Sequence, residues 1–173
     1  MSTKLKLGVS ACLLGMKVRY DGGQKRHRAV SILRRRFKLV PVCPEVEAGL
    51  SIPRGPMQLV GRNDRPRLVV ISSGIDLTGV LNDWAKKKVK KLKKEKLSGL
   101  VLKRRSPSCA IDDAELFTLA GRKKGTTAGL FSAAVMERYP DLPILHEEDL
   151  ADPGLRRDFI GRVVEFSSGS ALE

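Results

Sequence analysis

Aromatic residues make up only 5% of this 173-residue chain, with one Trp and two Tyr. The ring platforms on which a single-strand nucleic-acid binder stacks bases are therefore scarce. No run of about 18 apolar residues occurs, which excludes a membrane-spanning helix. The opening Met1-Ser2-Thr3-Lys4-Leu5-Lys6 leads into an apolar stretch too short for a secretory signal core. A cytoplasmic location with no membrane partner is the expectation. Cysteine numbers three, an odd count that argues against a disulfide framework and for thiols used as thiols. Acidic residues are few against basic ones, 19 to 33, leaving a net charge of +14 and a pI near 10.1. Such an excess attracts polyanions and phosphorylated ligands without identifying one. No internal repeat is visible, and nothing sets the number of chains that assemble.

What the chain does hold is 42% hydrophobic residues over a length suited to one domain with a single sizeable core. Its organising stretch is Leu39-Val40-Pro41-Val42-Cys43-Pro44-Glu45. Proline lacks a backbone donor and restricts the residue before it to extended geometry, so Cys43 reads as the last residue of a strand, with no helix before Glu45. Cys12 follows the apolar run Leu5 to Val9, and Cys109 follows Leu100-Val101-Leu102 after a short polar step. If the three strands are parallel neighbours, their carboxyl ends share the edge where open α/β sheets place ligands. Three thiols 31 and 66 residues apart would then converge.

Along the chain, Lys4 to Ser10 reads as a buried strand and Asp21-Gly22-Gly23 as a tight turn. His27 to Phe37 carries Val30, Leu33 and Phe37 at helical spacing, with His27 a solvated residue at its start. Ala48 to Pro66, broken by prolines and glycines, reads as a long loop. Within it, Ile52-Pro53-Arg54 offers a guanidinium beside a stiff turn. Arg67 to Ser72 reads as a strand. From a Thr78 cap, Leu81, Ala85, Val89 and Leu92 fall on one helical face, while the lysines between Lys86 and Lys96 cover the rest. Leu97 to Lys103 reads as a central strand, and Gly125-Thr126-Thr127-Ala128 opens a helix to about Tyr139. Ile144-Leu145 is a last short strand, and Asp152-Pro153 starts a final helix through Phe166. Residues 1–166 are the expected domain. Residues 167–173 read as a disordered tail, with Leu172-Glu173 resembling a cloning remnant. The alternation of strand and helix predicts an α/β layered fold with a mainly parallel sheet in a single domain, without setting the strand order.

Three thiols without a fourth leave two metal readings. Structural zinc sites pair their ligands two to four residues apart, and no such pair exists here. A four-iron cluster accepts widely spaced cysteines, and with three of them one iron keeps an open position able to act as a Lewis acid toward a soft atom such as sulfur.

Val9-Ser10-Ala11-Cys12-Leu13-Leu14-Gly15, Val18-Arg19-Tyr20-Asp21-Gly22, Val40-Pro41-Val42-Cys43-Pro44-Glu45-Val46, Pro53-Arg54, and Lys103 with Ser106-Pro107-Ser108-Cys109 together resemble the thiouracil desulfurase family, formerly a domain of unknown function. The resemblance runs from about residue 5 to residue 150. It implies a Rossmann-like fold and a [4Fe-4S] cluster on Cys12, Cys43 and Cys109, whose open iron takes the sulfur of a thiolated uracil. It implies a catalytic Glu45 and a catalytic serine, Ser106 or Ser108. It places Arg19, Tyr20, Asp21, Arg54 and Lys103 at the substrate. The implied reaction turns thiouracil or a thiouridine nucleotide into the uracil compound plus hydrogen sulfide, without a reductant or nucleotide cofactor. After Cys109, where the family usually carries glycine, Ala110-Ile111-Asp112-Asp113 stands instead.

Two other function classes remain open on the residues. The net charge and the lysine-rich helix suit an RNA- or tRNA-binding module, which is compatible with a thiolated tRNA as substrate. Cys43 or Cys109 could instead be the nucleophile of a thiol redox enzyme, if Lys103, Arg104 and Arg105 lower the pKa of Cys109.

Overall fold

A computed structural model describes residues 4–169. Four strands form a wholly parallel sheet in the order β2-β1-β5-β8. They are β1 (Lys6–Ser10), β2 (Lys38–Val42), β5 (Leu97–Leu102) and β8 (Ile144–His146). The two central strands, β1 and β5, are almost wholly buried, as expected of strands covered on both faces. One face packs on α3 (Thr78–Glu95) and α4 (Leu130–Arg138) through Ala85, Val89, Leu92, Phe131 and Val135. The other packs on α1 (Arg28–Ile32) and α5 (Pro153–Gly169) through Val30, Phe159 and Val163. The α/β layered fold is as the alternation predicts, and β1, β2 and β5 are the parallel neighbours that converging cysteines require.

A second sheet was not legible. Its order is β4-β3-β6-β7, built from β3 (Met57–Arg62), β4 (Arg65–Val70), β6 (Ala114–Phe117) and β7 (Lys123–Thr127). The expected loop over Ala48 to Pro66 is in fact half hairpin. β3 and β4 pair antiparallel around Asn63-Asp64, and Pro66 is tolerated because β4 is an edge strand. The strand expected at Arg67 starts at Arg65 and ends at Val70. Gly125-Thr126-Thr127 does not open a helix: these residues pair antiparallel with β6, and α4 begins at Leu130 after an extended Gly129. Leu59, Leu68, Ala114 and Leu116 seat this sheet against Leu81 and Leu130. Trp84 joins it to the main core, its ring 5.2 Å from that of Phe131.

Smaller departures have local causes. The helix after His27 is one turn of α-helix tightening into a 3-10 turn at Leu33–Arg35. The helix α2 (Pro44–Glu47) begins at Pro44, one residue before the expected limit, because proline is well suited to a first helical position. Thr78 does not cap α3. The Asp76 carboxylate accepts the Thr78 amide at 2.9 Å, while the Thr78 hydroxyl accepts the Leu68 amide. Asp152 does cap α5, accepting the amides of Gly154 and Leu155. Helix α5 continues to Gly169, through the start of the expected disordered tail; residues 170–173, including Leu172-Glu173, lie outside the described residues.

Candidate active site

The carboxyl ends of β1, β2 and β5 open into a cavity of about 780 Å³. Cys12 reaches it from a 3-10 turn (Ala11–Leu14) directly after β1, Cys43 from the end of β2, and Cys109 from the segment that follows β5. All three are free thiols, Cys109 buried and the others half-buried. Three loops thus bring together sulfurs that the sequence separates widely. Among the described residues, the ligand atoms that gather within 4.8 Å of one another belong to Asp112, Asp113 and His146, not to the cysteines. A single tetrahedral ion with metal–sulfur bonds of about 2.3 Å needs sulfurs closer than that.

Glu45 projects from α2 into the same cavity and is only 8% exposed. Its Oε1 accepts the Ser108 hydroxyl at 2.7 Å, and its Oε2 lies 3.6 Å from the Cys43 sulfur and 4.0 Å from the Arg54 guanidinium. The two candidate serines are thereby separated. Ser108 is fully buried and bonded to the carboxylate, whereas the Ser106 hydroxyl accepts the amides of Ser108 and Cys109 and holds the turn.

Arg54 is nearly buried. It donates to the carbonyls of Ser51 and Val18, while its Nε, also buried, has no partner in the protein. Arg19 lies over the Tyr20 ring at 5.4 Å, and both line the cavity. Asp21 does not. Its carboxylate accepts the Gly23 amide at 2.9 Å, which holds its pKa below the usual value and marks it as a turn former. Lys103 lines the cavity paired to Glu147 and to the carbonyl of Arg104. His27, expected to be solvated, also lines it, with a buried and unpartnered Nδ1.

Burial pushes all three thiols up, not down. Cys43 rises from the ordinary 9.0 to about 12, through burial and then the neighbouring Glu45 carboxylate. Cys12 and Cys109 rise chiefly through burial. The three cations expected to activate Cys109 are already neutralised. Lys103 is paired with Glu147, Arg104 with Asp113 and Glu148, and Arg105 with Glu148. A thiolate nucleophile at neutral pH is therefore disfavoured.

The sequence reading missed the residues that hold this wall. Glu147, 2% exposed, also accepts the Arg104 amide at 2.8 Å. Asp113 accepts the Arg105 amide at 2.8 Å and the Arg104 guanidinium at 2.7 Å, and His146 Nε2 accepts the Ile111 amide at 2.9 Å. The signal was available. His146 and Glu147 lie at the carboxyl end of β8, the fourth strand of the sheet, where the same edge rule applies.

Fold and site together define an α/β protein with a thiol-lined cavity at the carboxyl edge of a parallel sheet. The family model described as 2-thiouracil desulfurase matches residues 7–148, and the chain belongs to that family. A curated relative, the uncharacterized protein YbbK of Bacillus subtilis (strain 168), is 33% identical over 134 residues, which cover 73% of this chain and 89% of YbbK. A solved structure described as a [4Fe-4S]-dependent thiouracil desulfidase, TudS, superposes with a TM-score of 0.70 at 27% identity, covering 90% of this chain and 99% of that one. Family and structural likeness support an enzyme of the thiouracil desulfurase kind.

Proposed function

We propose that this protein hydrolyses the carbon–sulfur bond of a thiolated uracil without net electron transfer, at a [4Fe-4S] cluster held by Cys12, Cys43 and Cys109. The donor set fits such a group. Three thiols are the only cysteines, and they face one cavity from three loops. When bound, the cluster supplies an iron without a protein ligand, a Lewis acid for the thiocarbonyl sulfur.

The chain supplies the proton chemistry. Glu45 takes a proton from water directed at the ring carbon, and Ser108 fixes the carboxylate by donating to Oε1, leaving Oε2 turned toward Cys43. Arg54 faces the same oxygen at 4.0 Å. Arg19 and Tyr20 form the wall against which the pyrimidine lies, and Lys103, held by Glu147, forms another. A thiocarbonyl and a water become a carbonyl and hydrogen sulfide, so no reductant enters.

The observation that carries this reading is the Glu45 carboxylate, buried within 3.6 Å of a cysteine sulfur and fixed by a buried serine. Glu45→Ala in the anaerobically reconstituted protein should keep the cluster's visible absorbance and abolish sulfide release from thiouracil. Undiminished sulfide release would remove Glu45 from the mechanism.

A further inference from the structure

Among the described residues, a dense run of positive charge lies outside the cavity, on α3. Lys86, Lys87, Lys90, Lys91, Lys93 and Lys94 are all exposed, and Lys96 extends the series at the helix's left-handed end. Among the described residues, the lysines in ion pairs are Lys88, Lys103 and Lys123, so none of these seven has a carboxylate within 4.0 Å. Several stand three or four residues apart, as Lys86 with Lys90 and Lys87 with Lys91 do, where like charges destabilise a helix. Lys86 to Lys94 covers about 12 Å of helix. An intramolecular role would bring carboxylates to these groups. Lys88 shows the contrast: it is buried and paired with both Glu47 and Glu95.

We propose that this face of α3 binds the phosphate backbone of double-stranded RNA. A polyanion supplies the charge that the protein withholds, by neutralising phosphates and releasing counterions. The partner is a duplex because the face has no ring on which to stack bases: Trp84, the one aromatic residue of α3, is turned inward onto Phe131. It is not a bilayer because between Trp84 and Lys96 the helix exposes no apolar side chain. The choice of RNA over DNA rests on the desulfurase reading, uracil being the RNA base. The same helix touches, by its buried side, the element that carries Glu45. Helix α2, which carries Glu45, meets α3 through Glu47 and Lys88 at 3.5 Å.

The test is fluorescence anisotropy with the full-length, cluster-loaded protein and an unmodified RNA stem. Because the RNA carries no sulfur, failure of this proposal and failure of the desulfurase reading are separate results. If about four phosphates are engaged, affinity should fall on the order of 100-fold between about 50 and 200 mM salt. A variant with Lys86→Gln, Lys87→Gln, Lys90→Gln, Lys91→Gln and Lys94→Gln should bind at least about 10-fold more weakly, its salt slope reduced by about one for every phosphate it no longer neutralises. Glutamine keeps helix propensity, and the milder pair Lys90→Gln with Lys91→Gln should shift in the same direction if the larger variant folds poorly. Lys123→Gln with Lys124→Gln, on the second sheet, should change little. No salt-dependent binding by the wild type, unchanged binding by both α3 variants, or preference for anionic vesicles over RNA would each overturn the proposal.

Discussion

Glu45 is held by three groups of different kinds: a hydroxyl, a thiol and a guanidinium. Hydrogen bonds to charged groups are worth about 1.5–3 kcal/mol. Ser108→Ala should therefore lower kcat for thiouracil by about 10- to 100-fold with the cluster retained. Ser106→Ala, which frees two backbone amides, should instead act on loading and stability. Equal effects on kcat would show that the two serines are not divided in this way. The thiols give a second consequence. In the folded, cluster-free protein Cys43 keeps its proton up to about pH 12, against 9.0 ordinarily. The folded state then binds more protons than the unfolded one across that window. Stability should be intact below pH 9 and decline as pH rises from 9 toward 12. Denaturant midpoints measured across that range should fall more gently for Cys43→Ser; parallel curves would contradict the assignment.

The segment after β5 shows how an element's end becomes a site. Its carbonyls supply partners for the first amides of α4: Phe131 and Ser132 donate to Ser108, Leu130 to Pro107, and Gly129 to Ala110. These are the groups a helix start leaves without partners, so Ser108 and Cys109 are fixed by the same bonds that cap α4. Gly129 is where the two backbones touch. A Cβ there would stand 2.4 Å from the Ser108 carbonyl carbon and 2.7 Å from the Cys109 nitrogen, both backbone atoms that cannot rotate away. Gly129→Ala should cost about 1–3 kcal/mol, a fall in Tm of about 2–12 °C, and should also impair cluster loading. A variant with unchanged Tm would mean that the segment yields without strain. This close approach was not legible from the chain, because Gly125 to Ala128 carries no signal separating a second-sheet edge from a helix start.

Across the whole molecule, the parallel sheet gathers three thiols from positions 12, 43 and 109 at one edge. A group held by all three exists only in the folded state, and so stabilises that state by mass action. Anaerobic reconstitution should raise Tm by several degrees, and Cys12→Ser, Cys43→Ser or Cys109→Ser should each remove most of the shift. A full shift in any one variant would drop that cysteine from the ligand set.

The sequence by itself determined the parallel core and the strand-end placement of the cysteines, because buried strands are written as short β-branched and leucine-rich runs and Pro44, directly after Cys43, turns the chain from β2 into a helix. It also determined the excess of positive charge. Only the tertiary structure decided which serine meets Glu45, that Asp21 serves its own turn, and that Arg104 and Arg105 are spent on Asp113 and Glu148. Each of these depends on partners between 8 and 63 residues away, or on which side of a turn a short side chain falls. The second sheet was decided there too, since glycine- and proline-broken strands such as Met57–Arg62 and Lys123–Thr127 become strands only when a neighbour supplies the hydrogen bonds.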